Sequence, residues 1–205
     1  MQDLNLMHVM CAKLCHDIAA PLGAIRMGME MLDTSSLDQE TLDIVNGSIR
    51  ASIHRLELYR ALTGYASAPE KPSIDDVRKA VENYWYDKKV LFHLDDSLDH
   101  LYGWPARQVL ALCIVAGDSL IRGGEVFAEQ SNKISARGAQ VQLYPEVLQA
   151  LAGEAKPENL SSKNIIAHFS ALIADNHNCQ VDLTLRPDEL CMTVVAKENT
   201  MRNVI

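Results

Sequence analysis

The run Cys15-His16-Asp17-Ile18-Ala19-Ala20-Pro21-Leu22 sets a histidine beside an acid, with a proline five positions on. Imidazole is abundant in its neutral form near neutral pH and makes a high-energy N–P bond. An adjacent carboxylate can fix its tautomer or offset the positive charge that develops on it. Such chemistry needs a ring that another molecule can reach. A helix turns by about 100° per residue, so the direction of each side chain follows from its position. With Leu6 at zero, Met10, Leu14, Ile18, Pro21, Leu22, Ile25, Met29 and Leu32 fall at roughly 0 to 160°, one apolar stripe. His16 falls at about 280°, nearly opposite the centre of that stripe. Ala12, Ala19, Ala20 and Gly23 share its side, with Lys13 one turn before it. Small residues around an exposed nucleophile leave room for a docking protein. Met27 and Met31 lie near 300 and 340°, beside this side. Their adaptable thioethers suit a surface that meets several partners, and burial against the rest of the chain is the other reading. Pro21 removes a helical hydrogen bond at a cost of about 3 kcal/mol and frees the carbonyl of Asp17. A local distortion is therefore expected next to His16.

The other six histidines (His8, His54, His93, His100, His168 and His177) sit in no motif with a mechanism and read as ordinary polar residues. Cys11, Cys15 and His16 could suggest a metal. Cys15 and His16 point about 100° apart on a helix, however, and no second cluster of ligands follows, so no metal is expected.

Two long helices must carry these residues. The first is predicted from about 4 to 33, with Asp33-Thr34-Ser35-Ser36 as the break. Ser36 and Gln39 have the spacing of a capping box for the second. There Leu42, Val45, Ile49, Ile53, Leu56, Tyr59 and Leu62 keep a three-to-four spacing up to Gly64, a C-terminal stop. An antiparallel hairpin of this kind cannot bury both its stripes alone, and pairing with a second copy into a four-helix bundle is the economical solution. A homodimer is expected on that ground. Residues 67–72, within Ala66-Ser67-Ala68-Pro69-Glu70-Lys71-Pro72, break the pattern and read as a linker between residues 1–66 and 73–205. Beyond them Ser73 with Asp76 caps a helix to about Tyr86, and Val90–Leu94 reads as a strand. Pro105 opens an apolar helix over Ala106–Ile121, stopped by Gly123-Gly124. Strands are predicted at 125–128, 133–136, 140–143, 180–185 and 190–196, with short helices near 145–151 and 162–175. The fold class is α+β: a helical hairpin, then an α/β sandwich with helices on one side of the strands.

Composition narrows the function. A net charge of −8 over 205 residues leaves no basic stripe for nucleic acid. No apolar run approaches the length of a membrane span, and no secretory signal is recognisable at the start. Five cysteines at irregular spacings fit reduced thiols and a cytoplasmic protein better than a disulfide framework.

A hairpin bearing His-Asp-x-x-x-Pro ahead of a small α/β domain resembles the dimerisation and catalytic halves of sensor histidine kinases. The likeness is closer to the alphaproteobacterial histidine phosphotransferases of the ChpT type. It rests on Leu14-Cys15-His16-Asp17-Ile18, on Pro21-Leu22-Gly23-Ala24-Ile25, then on Gly28, Glu30 and Leu32, with support from Ile121-Arg122-Gly123-Gly124 and from the late helix, Lys163 to Ala174. Arg26-Met27 departs from it, standing where a small polar residue such as asparagine is expected. The resemblance implies a phosphorelay protein in which His16 accepts a phosphoryl group from the aspartate of one response-regulator receiver domain and gives it to another. A receiver belonging to a hybrid histidine kinase is among the expected partners. Asp17 would support the ring, and Ala12, Lys13, Ala19, Ala20, Gly23 and Met27 would meet the partner. Lys13 would also offset phosphoryl charge. Magnesium would come with the receiver. An ATP site in this superfamily needs an asparagine on the central helix to help hold magnesium, and Asp-x-Gly-x-Gly and Gly-x-Gly segments. Cys113-Ile114-Val115-Ala116-Gly117-Asp118-Ser119-Leu120 offers no asparagine, and the ten glycines include neither segment. The second domain therefore reads as a degenerate ATPase domain kept as a docking surface, with no cofactor of its own. The residues leave two alternatives open: an ATP-dependent histidine kinase core, and a non-enzymatic dimeric adaptor.

Overall fold

The apolar periodicity at the start of the chain becomes one uninterrupted helix, α1 (Gln2–Thr34), which runs through Pro21 without a break. The computed structural model describes residues 2–34, 39–64, 71–86, 89–130 and 132–197. Helix α2 (Gln39–Thr63) lies against α1. The expected Ser36 cap, and all but Lys71 and Pro72 of the 67–72 linker, lie outside the described residues. The hairpin closes tightly at Gly28, where an added Cβ would stand 2.4 Å from Val45 Cγ2.

Helix α3 (Ile74–Tyr84) opens on the predicted cap: the Ser73 side chain accepts from the Asp76 amide, and the Asp76 carboxylate accepts from the Ser73 amide. Then follow β1 (Val90–Leu94), α4 (Trp104–Ser119), β2 (Gly124–Gln130), β3 (Lys133–Arg137), α5 (Pro145–Leu151), α6 (Ile165–Asn176), β4 (Cys179–Leu185) and β5 (Glu189–Ala196). The strands form a mixed sheet in the order β1-β2-β3-β5-β4, with β1 parallel to β2 and every other pair antiparallel. Alternation along the strands sends Val126, Ala128, Ile134, Ala136, Leu190 and Met192 to one buried face. Helices α3, α4 and α6 cover that face, and α5 packs on α6. Helix α4 is apolar nearly all round because it lies between the sheet and the neighbouring helices.

Two expectations need correction. Residues 140–143 do not form a strand: Val141 makes only an isolated bridge to Leu120. The alternation there is real, since Val141 and Leu143 are buried, but β3 already pairs with β2 and β5 on its two sides. The Val141 amide bonds instead to the Pro187 carbonyl, and that of Gln142 to Ser119. The late helix starts at Ile165 rather than Ser162, because Ser161 and Asn164 form a side-chain-closed turn before it (Ser161 N to Asn164 Oδ1, 2.8 Å).

The hairpin and the sheet share one core. Leu58, Tyr59, Ala61 and Leu62 of α2 are buried in the same apolar cluster as α4 and the sheet, and Leu6, Val9, Met10 and Leu14 of α1 pack against it. Further along, the hairpin is bare. Leu22 and Met29, from the predicted stripe, are 53% and 50% exposed, and Ile49, Ile53 and Leu56 of α2 are exposed too.

Candidate functional site

The side chain of His16 is 81% exposed, on a helix whose neighbouring turns are ordered by the hairpin beneath them. Its Nδ1 lies 3.3 Å from Oδ1 of Asp17. The Asp17 side chain is only 14% exposed, and its other oxygen is engaged twice. The Tyr59 hydroxyl, reaching across from α2, donates to Oδ2 at 2.5 Å, and Lys13 Nζ stands 3.3 Å from the same atom. Burial works against the charge on Asp17, but the Tyr59 hydroxyl, Lys13 and His16 together outweigh it and hold the carboxyl below its ordinary range. Burial, with the ionised Asp17 as its hydrogen-bond acceptor, pushes the Tyr59 phenol far up, so it stays a donor. A carboxylate facing Nδ1 favours the tautomer with the proton on that nitrogen, which leaves the free lone pair on Nε2.

His16 also stands on the wall of a cleft of about 430 Å³ between the hairpin and the second domain. Lys13, His16 and Asp17 line one side. Ile114, Val115 and Asp118 of α4, Tyr144 and Val147 around the start of α5, and Lys163 and Ile166 around the start of α6 line the other. Lys163 Nζ sits 5.7 Å from the centre of the Tyr144 ring.

The remaining predicted residues fall as follows. Ala12, Ala19 and Ala20 are exposed, and Gly23 has open space where a side chain would be. Met27 and Met31 are open to solvent rather than covered by the second domain. Lys13 is turned toward Asp17, so part of its charge is already engaged. The spacing of α2 makes Tyr59 one more apolar stripe position. The available signal was a phenol among aliphatic side chains, since a buried tyrosine hydroxyl nearly always needs a partner. The cleft residues Asp118, Tyr144 and Lys163 carried no such signal.

The second domain brings the polar side chains of Asp118, Gln142, Tyr144, Ser162 and Lys163 to the cleft. The only polar side chain that α4 contributes to the cleft is that of Asp118. Gly123 and Gly124 are used where β2 begins between β1 and β3: a Cβ there would meet the Lys89 and Arg137 carbonyl oxygens at 2.2 Å. Among the described residues, no group of three or more His, Cys, Asp or Glu is placed to hold a metal ion, and no helix is long and apolar enough to cross a membrane.

Comparison with known proteins agrees with this architecture. Residues 74–189 match the family model of the histidine phosphotransferase C-terminal domain. The chain is 22% identical over 195 residues to protein phosphotransferase ChpT of Brucella abortus (strain 2308), covering 91% of this chain and 93% of that one. A solved bacterial phosphotransferase superposes with a TM-score of 0.78 at 21% identity, covering 94% of this chain and 96% of the other. The Acinetobacter baumannii histidine kinase AdeS reaches a TM-score of 0.46 at 14% identity, over 90% of this chain and 98% of the other. With more than half of its length matching the family's own domain, and nearly all of it aligning with ChpT, this chain belongs to the histidine phosphotransferase family as a ChpT-like member.

Proposed function

We propose that this protein is a relay between receiver domains, with His16 as its phosphoacceptor. The observation that carries the reading is an imidazole 81% exposed whose Nδ1 faces a largely covered, ionised carboxylate. The Nε2 lone pair attacks the phosphorus of a receiver's aspartyl phosphate. The N–P bond forms as the P–O bond to that aspartate breaks, and the receiver recovers its carboxylate. Nδ1 keeps its proton, and Asp17 offsets the positive charge on the ring. In the second half-reaction an aspartate oxygen of another receiver attacks the same phosphorus, the N–P bond breaks, and its electron pair returns to Nε2. Both donors are energetic, so transfer runs in either direction. Magnesium enters with the receiver, as phosphoryl transfer depends mostly on positioning and charge.

Ala12, Ala19, Ala20, Gly23 and Met27 form the landing surface around the ring, and Lys13 borders it. The receiver of a hybrid histidine kinase is among the partners, and the reaction takes place in the cytoplasm without ATP. The apolar side chains left open on the hairpin support a homodimer built as a four-helix bundle. The test is to mix the protein with a phosphorylated receiver and look for acid-labile, base-stable phosphate on His16. Loss of that signal in a folded His16→Ala variant, together with loss of transfer to a second receiver, is expected. Undiminished transfer by His16→Ala refutes the reading.

A further inference from the structure

Asp17 follows His16 directly, so on the helix the two side chains diverge, and nothing in the local backbone obliges the carboxylate to face the ring. Its orientation is imposed from elsewhere. Oδ2 is taken by Tyr59 at 2.5 Å and by Lys13 at 3.3 Å, which leaves Oδ1 toward Nδ1. The two holders differ in firmness. Lys13 is a flexible side chain on the same helix, whereas the Tyr59 ring is buried in the core where α2 joins the second domain.

We propose that Tyr59 is the positioning residue of the transfer, its hydroxyl locking Asp17 so that the neutral His16 ring carries its proton on Nδ1 and keeps Nε2 bare. In water a neutral histidine side chain prefers the opposite tautomer, with the proton on Nε2, so the reactive form has to be enforced. The partner of one ring nitrogen decides the state of the other. Tyr59 enforces it through Asp17 without touching the phosphoryl group. The kinetic part of this inference rests on the phosphotransfer reading above; the tautomer part does not.

The test uses the full chain labelled with ¹⁵N-histidine, unphosphorylated and at mildly alkaline pH, with the His16 signals assigned from a His16→Ala spectrum. In the unsubstituted protein, Nδ1 is expected to give the shift of a protonated nitrogen and Nε2 that of a bare one. Tyr59→Phe moves both toward the values of free imidazole and lowers the transfer rate about tenfold, the equivalent of one charge-assisted hydrogen bond. Lys13→Met leaves the shifts near their original values. A purely structural role for Tyr59 would lower the melting temperature and leave the tautomer alone. The inference is overturned if unsubstituted His16 carries its proton on Nε2, if folded Tyr59→Phe keeps the original shifts, or if Lys13→Met moves them as far. Should Tyr59→Phe not fold, the unsubstituted and Lys13→Met spectra decide. A tautomer that responds to Tyr59 in a protein whose His16 never takes up phosphate upholds this inference and refutes the relay. Phosphate uptake with a tautomer indifferent to Tyr59 does the reverse.

Discussion

Placing a carboxylate on the open face of the hairpin, Ile53→Glu, tests whether two copies pair there. Ile53 is 48% exposed in the single chain, so a partner has about half of its surface left to cover. Full burial of an isoleucine is worth about 1.5–3 kcal/mol, which makes that half roughly 1 kcal/mol. A glutamate forfeits this gain and puts an ionised group against apolar side chains, at about 2 kcal/mol or more. Two-fold symmetry presents each change twice, giving roughly 6 kcal/mol, about four decades in the dissociation constant. The single chain loses little, because the site is open and Leu58 and Leu62, which hold α2 to the second domain, are untouched. Sedimentation velocity over a range of concentrations reads the result, with far-ultraviolet circular dichroism to check the fold. The expected outcome is a dimer for the unsubstituted protein and a folded monomer for the variant. A variant that sediments like the parent, or a parent monomeric at high concentration, refutes the bundle.

Two further outcomes follow from the same geometry. Asp17 titrates below its unfolded value of about 3.9, so the stability it contributes is complete above that value and lost as pH falls through the lower folded one. The melting-temperature advantage over Asp17→Asn should therefore shrink as the pH is lowered below about 4; an advantage that stays constant speaks against an ionised, bonded carboxylate. Gly28→Ala pushes a methyl to 2.4 Å from Val45. Overpacking of about 1–3 kcal/mol against about 1 kcal/mol of helix propensity leaves a net loss, and Val45→Ala in the same chain should recover part of it in thermal melts.

The parts legible in the sequence are those governed by local periodicity. The α1 helix, the Ser73–Asp76 cap and the Pro105 helix start depend on residues within a few positions of one another, and each is found where the pattern puts it. The 140–143 segment shows the limit: alternation reports burial, but a strand also needs a free sheet edge, and that depends on residues far away. Tyr59 was hidden for a related reason. Its position satisfies the helix stripe, so periodicity classes it with the leucines, and its hydroxyl finds a use only when α1 lies alongside, 42 residues away in sequence. The cleft beside His16 is less accessible still, as it joins α1 to α4, the start of α5 and the approach to α6.

Leu58 and Leu62 fasten the helix opposite His16 to the core of the sheet. Swinging the sheet toward the imidazole and away again would pull these side chains out of their apolar cluster, at about 1.5–3 kcal/mol for each one exposed. On the relay reading, that cost favours discrimination among visitors inscribed in shape and charge at rest over discrimination by the timing of a motion.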